Sequence, residues 1–298
     1  MNAFVTRLQT WGGFDRRETL PLLTLLLLLI HAPENWYLRT PFIFVAILGL
    51  VFREVLHRPA FWYVVATLLG ATAYLNWEAT DNHRYVFVYW SLTLCAAFSL
   101  PRDEQEPSLT LSSRWLIGLC MLFATLWKVC MPDYVSGAFF QYELLLDERF
   151  APFASLCTGL SAEQLSLNRE LRDLLHEGHL RDLNVKSVTV TTAPNIATVA
   201  FALTWWTVII EGALAVLFVL PDNRRTAVVR NTLLILFAAS TYSVANVRGF
   251  GWMLMLLGMA QCEDRDKDFR AGYLAGFLLI QLYTLPISQI ADAVSAQR

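Results

Sequence analysis

Apolar residues in this chain come in long, nearly unbroken runs separated by short polar joints that carry most of the arginines. Runs of that length exceed what strands use, and they read as helices apolar on all sides, which belong in a bilayer or a large core. Nine such runs predict helices at 20–36, 41–55, 60–77, 85–100, 115–131, 196–220, 229–244, 249–261 and 273–290. A membrane-crossing helix needs about 20 residues, so the short run at 249–261 predicts a tilted, broken or re-entrant element. The expected fold is all-α, a polytopic transmembrane helix bundle of eight or nine spans forming a single membrane domain over 1–298.

One interval, 132–195, breaks the rhythm. Ser161-Ala162-Glu163-Gln164 has the form of a capping box, and Leu165, Leu171, Leu174 and Leu175 then recur at helical spacing until Gly178 offers a stop. An amphipathic helix is predicted there, lying along a membrane face or lidding a cavity. The aromatic and aliphatic stretch 138–146 predicts a second interfacial helix. The β-branched stretch 188–192 predicts a short extended return.

Composition strengthens the membrane reading. Apolar residues make up 56% of the chain and charged residues 16%, with a mean hydropathy of +0.44, against about 25% charged residues in ordinary soluble domains. The net charge of -2 comes with no acidic or basic tail, so nothing points to nucleic acid as a partner. The five cysteines show neither metal-ligand spacing nor a disulfide framework. Arg7, Arg16 and Arg17 ahead of the first run imitate a signal peptide, but no small-residue cleavage site follows, and the run is read as a retained span.

Lys and Arg bias sets orientation. With the N-terminus cytoplasmic, one side holds Arg7, Arg16, Arg17, Arg53, Arg58, Arg102, Arg114, Arg224, Arg225, Arg230, Arg265, Lys267 and Arg270, and the short loops opposite hold only Arg39, Arg84 and Arg248. Interval 132–195 then falls on the non-cytoplasmic side. So do Asp81-Asn82-His83-Arg84 at the start of the fourth run, Lys128 near the end of the fifth, and Asn246 with Arg248 between the seventh and eighth. Polar groups converging in apolar surroundings describe a small-molecule site. Each also has a plainer role: Lys128 snorkels to headgroups, Asp81 and Asn82 cap a helix with His83 in the same polar turn, Arg248 anchors at the interface, and Asn246 bonds between helices.

Glu211 stands deep in the sixth run and should face the interior, paired or protonated. Counting about 1.5 Å per residue from the ends of the two runs puts it roughly 18 Å deeper than Lys128, so a different polar partner is expected. Trp205 and Trp206 line the same space or face lipid. His176 and His179 form no metal spacing and read as solvated surface.

Asp81-Asn82-His83-Arg84-Tyr85, followed by Arg114-Trp115-Leu116-Ile117-Gly118 running to Leu126-Trp127-Lys128-Val129, Asp133-Tyr134 and Gly137, resembles the membrane domain of vitamin K-dependent gamma-glutamyl carboxylase and the wider bacterial HTTM (horizontally transferred transmembrane) family. In that pattern an Asn-His pair opens one helix, a later helix ends in a lysine followed by an aromatic residue and a glycine, and a further helix carries an acidic residue before a small one. Asn82, His83, Lys128, Tyr134, Gly137 and Glu211 occupy those positions. The resemblance implies an integral protein of a bacterial inner membrane and a reduced quinone, vitamin K-like, as cofactor. It implies Lys128 as the base that starts quinol oxygenation, His83 as the group that polarises the quinone oxygen, and a lumen-facing site. Oxygenation then yields a stronger base that takes a proton from a glutamate side chain, and the carbanion captures carbon dioxide. The alternative is a membrane protein without chemistry, binding or transporting a lipid or apolar small molecule, with Lys128, Glu211 and Arg248 serving recognition.

Overall fold

The structure is a computed structural model that describes residues 14–30, 32–33, 35–176 and 189–282. All its regular elements are helical: α1 (Arg16–Ile30), α2 (Trp36–Val51), α3 (Pro59–Leu75), α4 (Asn82–Phe98), α5 (Arg102–Cys130), α6 (Pro132–Val135), α7 (Ala138–Leu146), α8 (Ala151–Thr158), α9 (Ala162–His176), α10 (Ile196–Val219), α11 (Arg224–Val244), α12 (Arg248–Gln261) and α13 (Lys267–Leu282), with short 3-10 turns between some of them. Three of these, α5, α10 and α11, with 29, 24 and 21 residues, are long and apolar enough to cross a membrane. Among the described residues the count is smaller than the run pattern predicts because polar joints cut into the runs, and the part of the ninth run beyond Leu282 lies outside the described residues. Asn35 accepts a hydrogen bond from Tyr37 N and caps α2, so Trp36 belongs to that helix and not to the first run. A 3-10 turn over Arg53–His57 ends the second run early. The remaining long helices have 14 to 17 residues, about 21–26 Å of helix against a hydrocarbon core of about 30 Å.

The chain forms two compact units, Met1–Ile117 with Arg248–Arg298, and Gly118–Val247. In the first, Trp62 and Trp90 are fully buried and their indole N–H groups are both satisfied, Trp62 by Leu56 O at 2.7 Å and Trp90 by Thr24 Oγ1 at 2.9 Å. The short run at 249–261 finds its explanation here. From Gly251 to Cys262 every residue is buried, so α12 is apolar on all sides because protein surrounds it. Arg16 serves this helix: its guanidinium donates to the carbonyls of Ala260 at 3.3 Å and Cys262 at 2.7 Å, to Thr110 Oγ1 at 2.9 Å, and pairs with Glu106. A cation on the last carbonyls of a helix satisfies orphan acceptors and opposes the negative end of its dipole.

The second unit is built around α10. Phe140, Leu144, Phe150, Ala154 and Leu165 from the 132–195 interval form one apolar core with Ile196, Ala200 and Leu203 from the first turns of α10. The described part of the interval therefore packs around the start of an apolar helix. The predicted elements are present: the capping box forms, with Gln164 Oε1 accepting from Ser161 N at 2.9 Å and Ser161 Oγ accepting from Gln164 N at 3.2 Å, and α7 spans 138–146 as expected. Gly178 and Val188 lie outside the described residues. Thr189 to Thr192 form no sheet. Buried Asn168 of α9 substitutes for a strand partner, its amide donating to Thr191 O and its carbonyl accepting from Thr191 N, both at 2.8 Å.

Candidate functional site

Lys128 and Glu211 form an ion pair, with the ammonium donating to Oε1 of the carboxylate. The depth count of roughly 18 Å between them is overturned, and the register of α5 on α10 shows why. A Cβ placed on Gly212 lies 3.5 Å from Thr125 Cγ2, and one on Gly118 lies 3.2 Å from Phe218 Cβ. Moving back along α5 thus moves forward along α10, so the helices run antiparallel with Lys128 level with Glu211. Counting depth from Ile196 assumes that α10 starts where α5 stops. Instead, the first turns of α10 continue past the end of α5 and pack on α7 and α8. The chain leaving α5 follows them: Tyr134 Oη meets Thr207 Oγ1 at 3.4 Å, and Gly137, at φ +83°, brings its Cα against the Ala200–Phe201 backbone. That φ lies in the left-handed region, where glycine carries no Cβ penalty, and a Cβ at Gly137 would stand 3.4 Å from Phe201 N.

The pair is enclosed. The side chains of Lys128 and Glu211 are 16% and 8% exposed. The ring of Tyr134 lies 5.4 Å from the ammonium, within cation–π range, and it stacks on Phe139 with centroids 4.8 Å apart. Thr207 donates its hydroxyl to Thr204 O at 2.8 Å, so the Tyr134 hydroxyl is the donor between Tyr134 and Thr207. Glu211 keeps one unmet need. Its Oε2 is buried and receives no hydrogen bond. A buried acceptor left open costs about 1–3 kcal/mol, more when charged, which makes it the natural docking point for a donor.

The other predicted site residues have surroundings of their own. Asp81, at the N-cap of α4, makes no side-chain cap bond; its carboxylate is exposed and stands 3.8 Å from His83 Nδ1. Asn82 is exposed at the first position of that helix. His83 is the enclosed member, with its side chain 11% exposed. Its imidazole occupies the space a side chain at Gly249 would need, so the turn opening α12 does meet the Asn82-His83 corner, through a glycine that motif reading passes over. Asp81, Asn82 and His83 belong to the first unit; Lys128, Tyr134, Glu211 and Asn246 belong to the second. Asn246 is half-buried, with its Oδ1 enclosed and without a donor. Arg248 opens α12, and its side chain, like that of His176 and all of His179, lies outside the described residues. Trp205 and Trp206 are 38% and 43% exposed. Among the described residues no cluster has the makings of a metal site.

No family model matches the chain, and neither a curated protein nor a solved structure is detectably similar to it.

Proposed function

We propose that the protein is an integral membrane enzyme that takes an apolar, hydroxyl-bearing small molecule, a reduced quinone in the reading that the motif resemblance supplies, and removes its hydroxyl proton at the Lys128–Glu211 pair. One observation carries this: the buried Oε2 of Glu211, without a donor, beside an ammonium held on the other oxygen of the same carboxylate. A substrate O–H donates to Oε2. The O–H bond breaks, the proton stays on Glu211, and the oxyanion is left facing the Lys128 ammonium, so charge within the site is conserved throughout. The pair acts as one base, with Glu211 receiving the proton and Lys128 supplying the counter-charge that stabilises the anion. Asn82 and His83 enter this reading through the motif alone.

The membrane setting rests on three helices of spanning length whose apolar windows are only 33–39% buried within the protein, which leaves Phe123, Trp127, Ile209 and Val216 to face lipid. Eight or nine spans, a cytoplasmic N-terminus and a bacterial inner membrane complete the proposal, with the arginine bias of the joints as support for the orientation. Transport is the weaker reading. After Glu211, α10 continues through Gly212 and then only apolar residues to Val219, so it offers no polar path onward.

The test is binding of 2-methyl-1,4-naphthohydroquinone to the full chain in lipid nanodiscs, kept anaerobic. The parent is expected to bind, and Glu211→Gln and Lys128→Met to weaken binding at least about tenfold, the equivalent of one charge-assisted hydrogen bond. No binding by the parent, or parent-like binding by both variants, overturns the proposal.

A further inference from the structure

Three helices of the first unit carry exposed apolar side chains: Phe44, Ile47 and Val51 on α2, Val64 on α3 and Leu92 on α4. No charged residue interrupts the chain between Arg39 and Arg53, between Arg58 and Glu78, or between Arg84 and Arg102. Contacts within the unit fix which helix ends share a level. A Cβ on Gly70 of α3 would lie 4.0 Å from Val88 Cγ1 of α4, while the rings of His57, just before α3, and Phe98, at the end of α4, stand 5.5 Å apart. These two helices therefore run antiparallel. His57 Nε2 also lies 2.9 Å from Glu18 Oε1 near the start of α1, and Trp90, farther back on α4, donates to Thr24, farther along α1, at 2.9 Å. So α1 ends at the level where α4 starts, and the Asn35 cap opens α2 there as well.

Along that axis the exposed side chains are sorted. Trp36 and Tyr37 open α2, Tyr74 and Trp77 stand at and just past the end of α3, and Tyr85 lies in the first turn of α4, all of them exposed at one level. Arg53, Arg58 and Arg102 are exposed at the other. An apolar band between a rim of amphipathic rings and a rim of guanidiniums is the order that a bilayer imposes, with rings at headgroup depth and cations among the phosphates. A protein partner asks for no such sorting across three helices. The band is also low. Helices α2, α3 and α4 have 16, 17 and 17 residues, about 24–26 Å of rise against about 30 Å of hydrocarbon in an ordinary bilayer.

We propose, resting on the membrane setting above, that the outer face of α2, α3 and α4 is a lipid-binding surface fitted to a thin bilayer, one that gathers phospholipids with short acyl chains around the first unit. Its aromatic rim sits in one headgroup layer and its arginine rim in the other. An apolar band lower than the hydrocarbon core either thins the bilayer around it or collects lipids that match its height, and the mismatch with long chains drives both. The second unit provides the contrast, because α10 has 24 residues, about 36 Å of rise, and reaches across ordinary chains without thinning.

Bimane attached to Phe44→Cys, near the middle of α2, reads the neighbouring lipid through quenching by chain-brominated phospholipid, in the full chain with the five native cysteines replaced. The vesicles mix dimyristoleoyl and dierucoyl phosphatidylcholine equally, with one of the two brominated at a time. Quenching is expected to be at least about twofold stronger from the short-chain lipid. Bimane on Val216→Cys of α10 is expected to show no such preference. Equal quenching of Phe44→Cys by the two lipids, or stronger quenching by the long one, overturns the proposal. So does the same short-chain preference at Val216→Cys, since the height of the first unit would then not be its cause. No quenching of Phe44→Cys while Val216→Cys is quenched, as when a second copy of the chain covers the face, also overturns it and leaves the enzyme reading standing. Loss of quenching at both positions removes the membrane setting and the surface with it.

Discussion

Lys128→Met is expected to lower the stability of the second unit by about 3–5 kcal/mol, the usual cost of removing one partner from a buried ion pair. The enclosure of both side chains sets that size, since an exposed pair contributes only about 0–1 kcal/mol. With the ammonium gone, Glu211 is left with both oxygens lacking a donor inside an apolar helix contact. The double variant Lys128→Met with Glu211→Met removes the stranded carboxylate and is expected to recover most of the loss, because two apolar side chains satisfy each other as well as an ion pair does. Reversible unfolding in detergent micelles measures the cycle. A double variant no better than the single one shows that the lysine matters for something other than its carboxylate.

In the first unit the largest expected effect belongs to Arg16. Arg16→Met withdraws two hydrogen bonds from the end of α12, leaves Thr110 without its donor, and unpairs Glu106. A loss of about 3 kcal/mol is expected, since hydrogen bonds to charged groups contribute about 1.5–3 kcal/mol each and several are lost together, although Arg270 still donates to Cys262 O at 3.1 Å and Thr110 to Ala260 O at 3.5 Å. Arg17, itself half-exposed and donating one side-chain hydrogen bond, to the buried side chain of Gln105 at 2.9 Å, is the control: Arg17→Met is expected to cost about 1 kcal/mol. The same unfolding measurement separates the two. Equal losses from both substitutions contradict a capping role for Arg16 and reduce both arginines to surface charges.

Local signals are legible in the sequence, and long-range registers are not. The capping box at Ser161, the bounds of α7 and the inward position of Glu211 follow from local sequence: the spacing of Ser161 and Gln164, an aromatic and aliphatic stretch, and the cost of a carboxylate deep in an apolar run. The Lys128–Glu211 pair depends on where α10 begins relative to the end of α5. No local pattern records that an apolar helix starts inside a collar formed by the segment before it. The short run at 249–261 shows the same gap, since an apolar stretch looks alike whether lipid or protein covers it. Arg16 reads as an orienting charge because its acceptors, Ala260 and Cys262, are remote in sequence. Gly249 carries no signal except the absence of a side chain, which acquires meaning only once the His83 ring is seen to fill that space.

The register of α5 against α10 is the geometry on which the site depends, and a disulfide across it is the most direct measurement. Thr125→Cys and Gly212→Cys are introduced together, with the five native cysteines replaced, and the membrane-embedded protein is oxidised with iodine. A Cβ at 212 lies 3.5 Å from Thr125 Cγ2 and 4.0 Å from Thr125 Oγ1, so the Cβ atoms of the two positions stand only slightly farther apart, near the spacing of about 3.5–4.5 Å that a disulfide spans. Rapid, near-complete cross-linking is the result this geometry requires. Free thiols at 125 and 212 after oxidation, with Thr125→Cys cross-linking instead to Phe201→Cys in a companion variant, would put Glu211 far below Lys128 and dissolve the site.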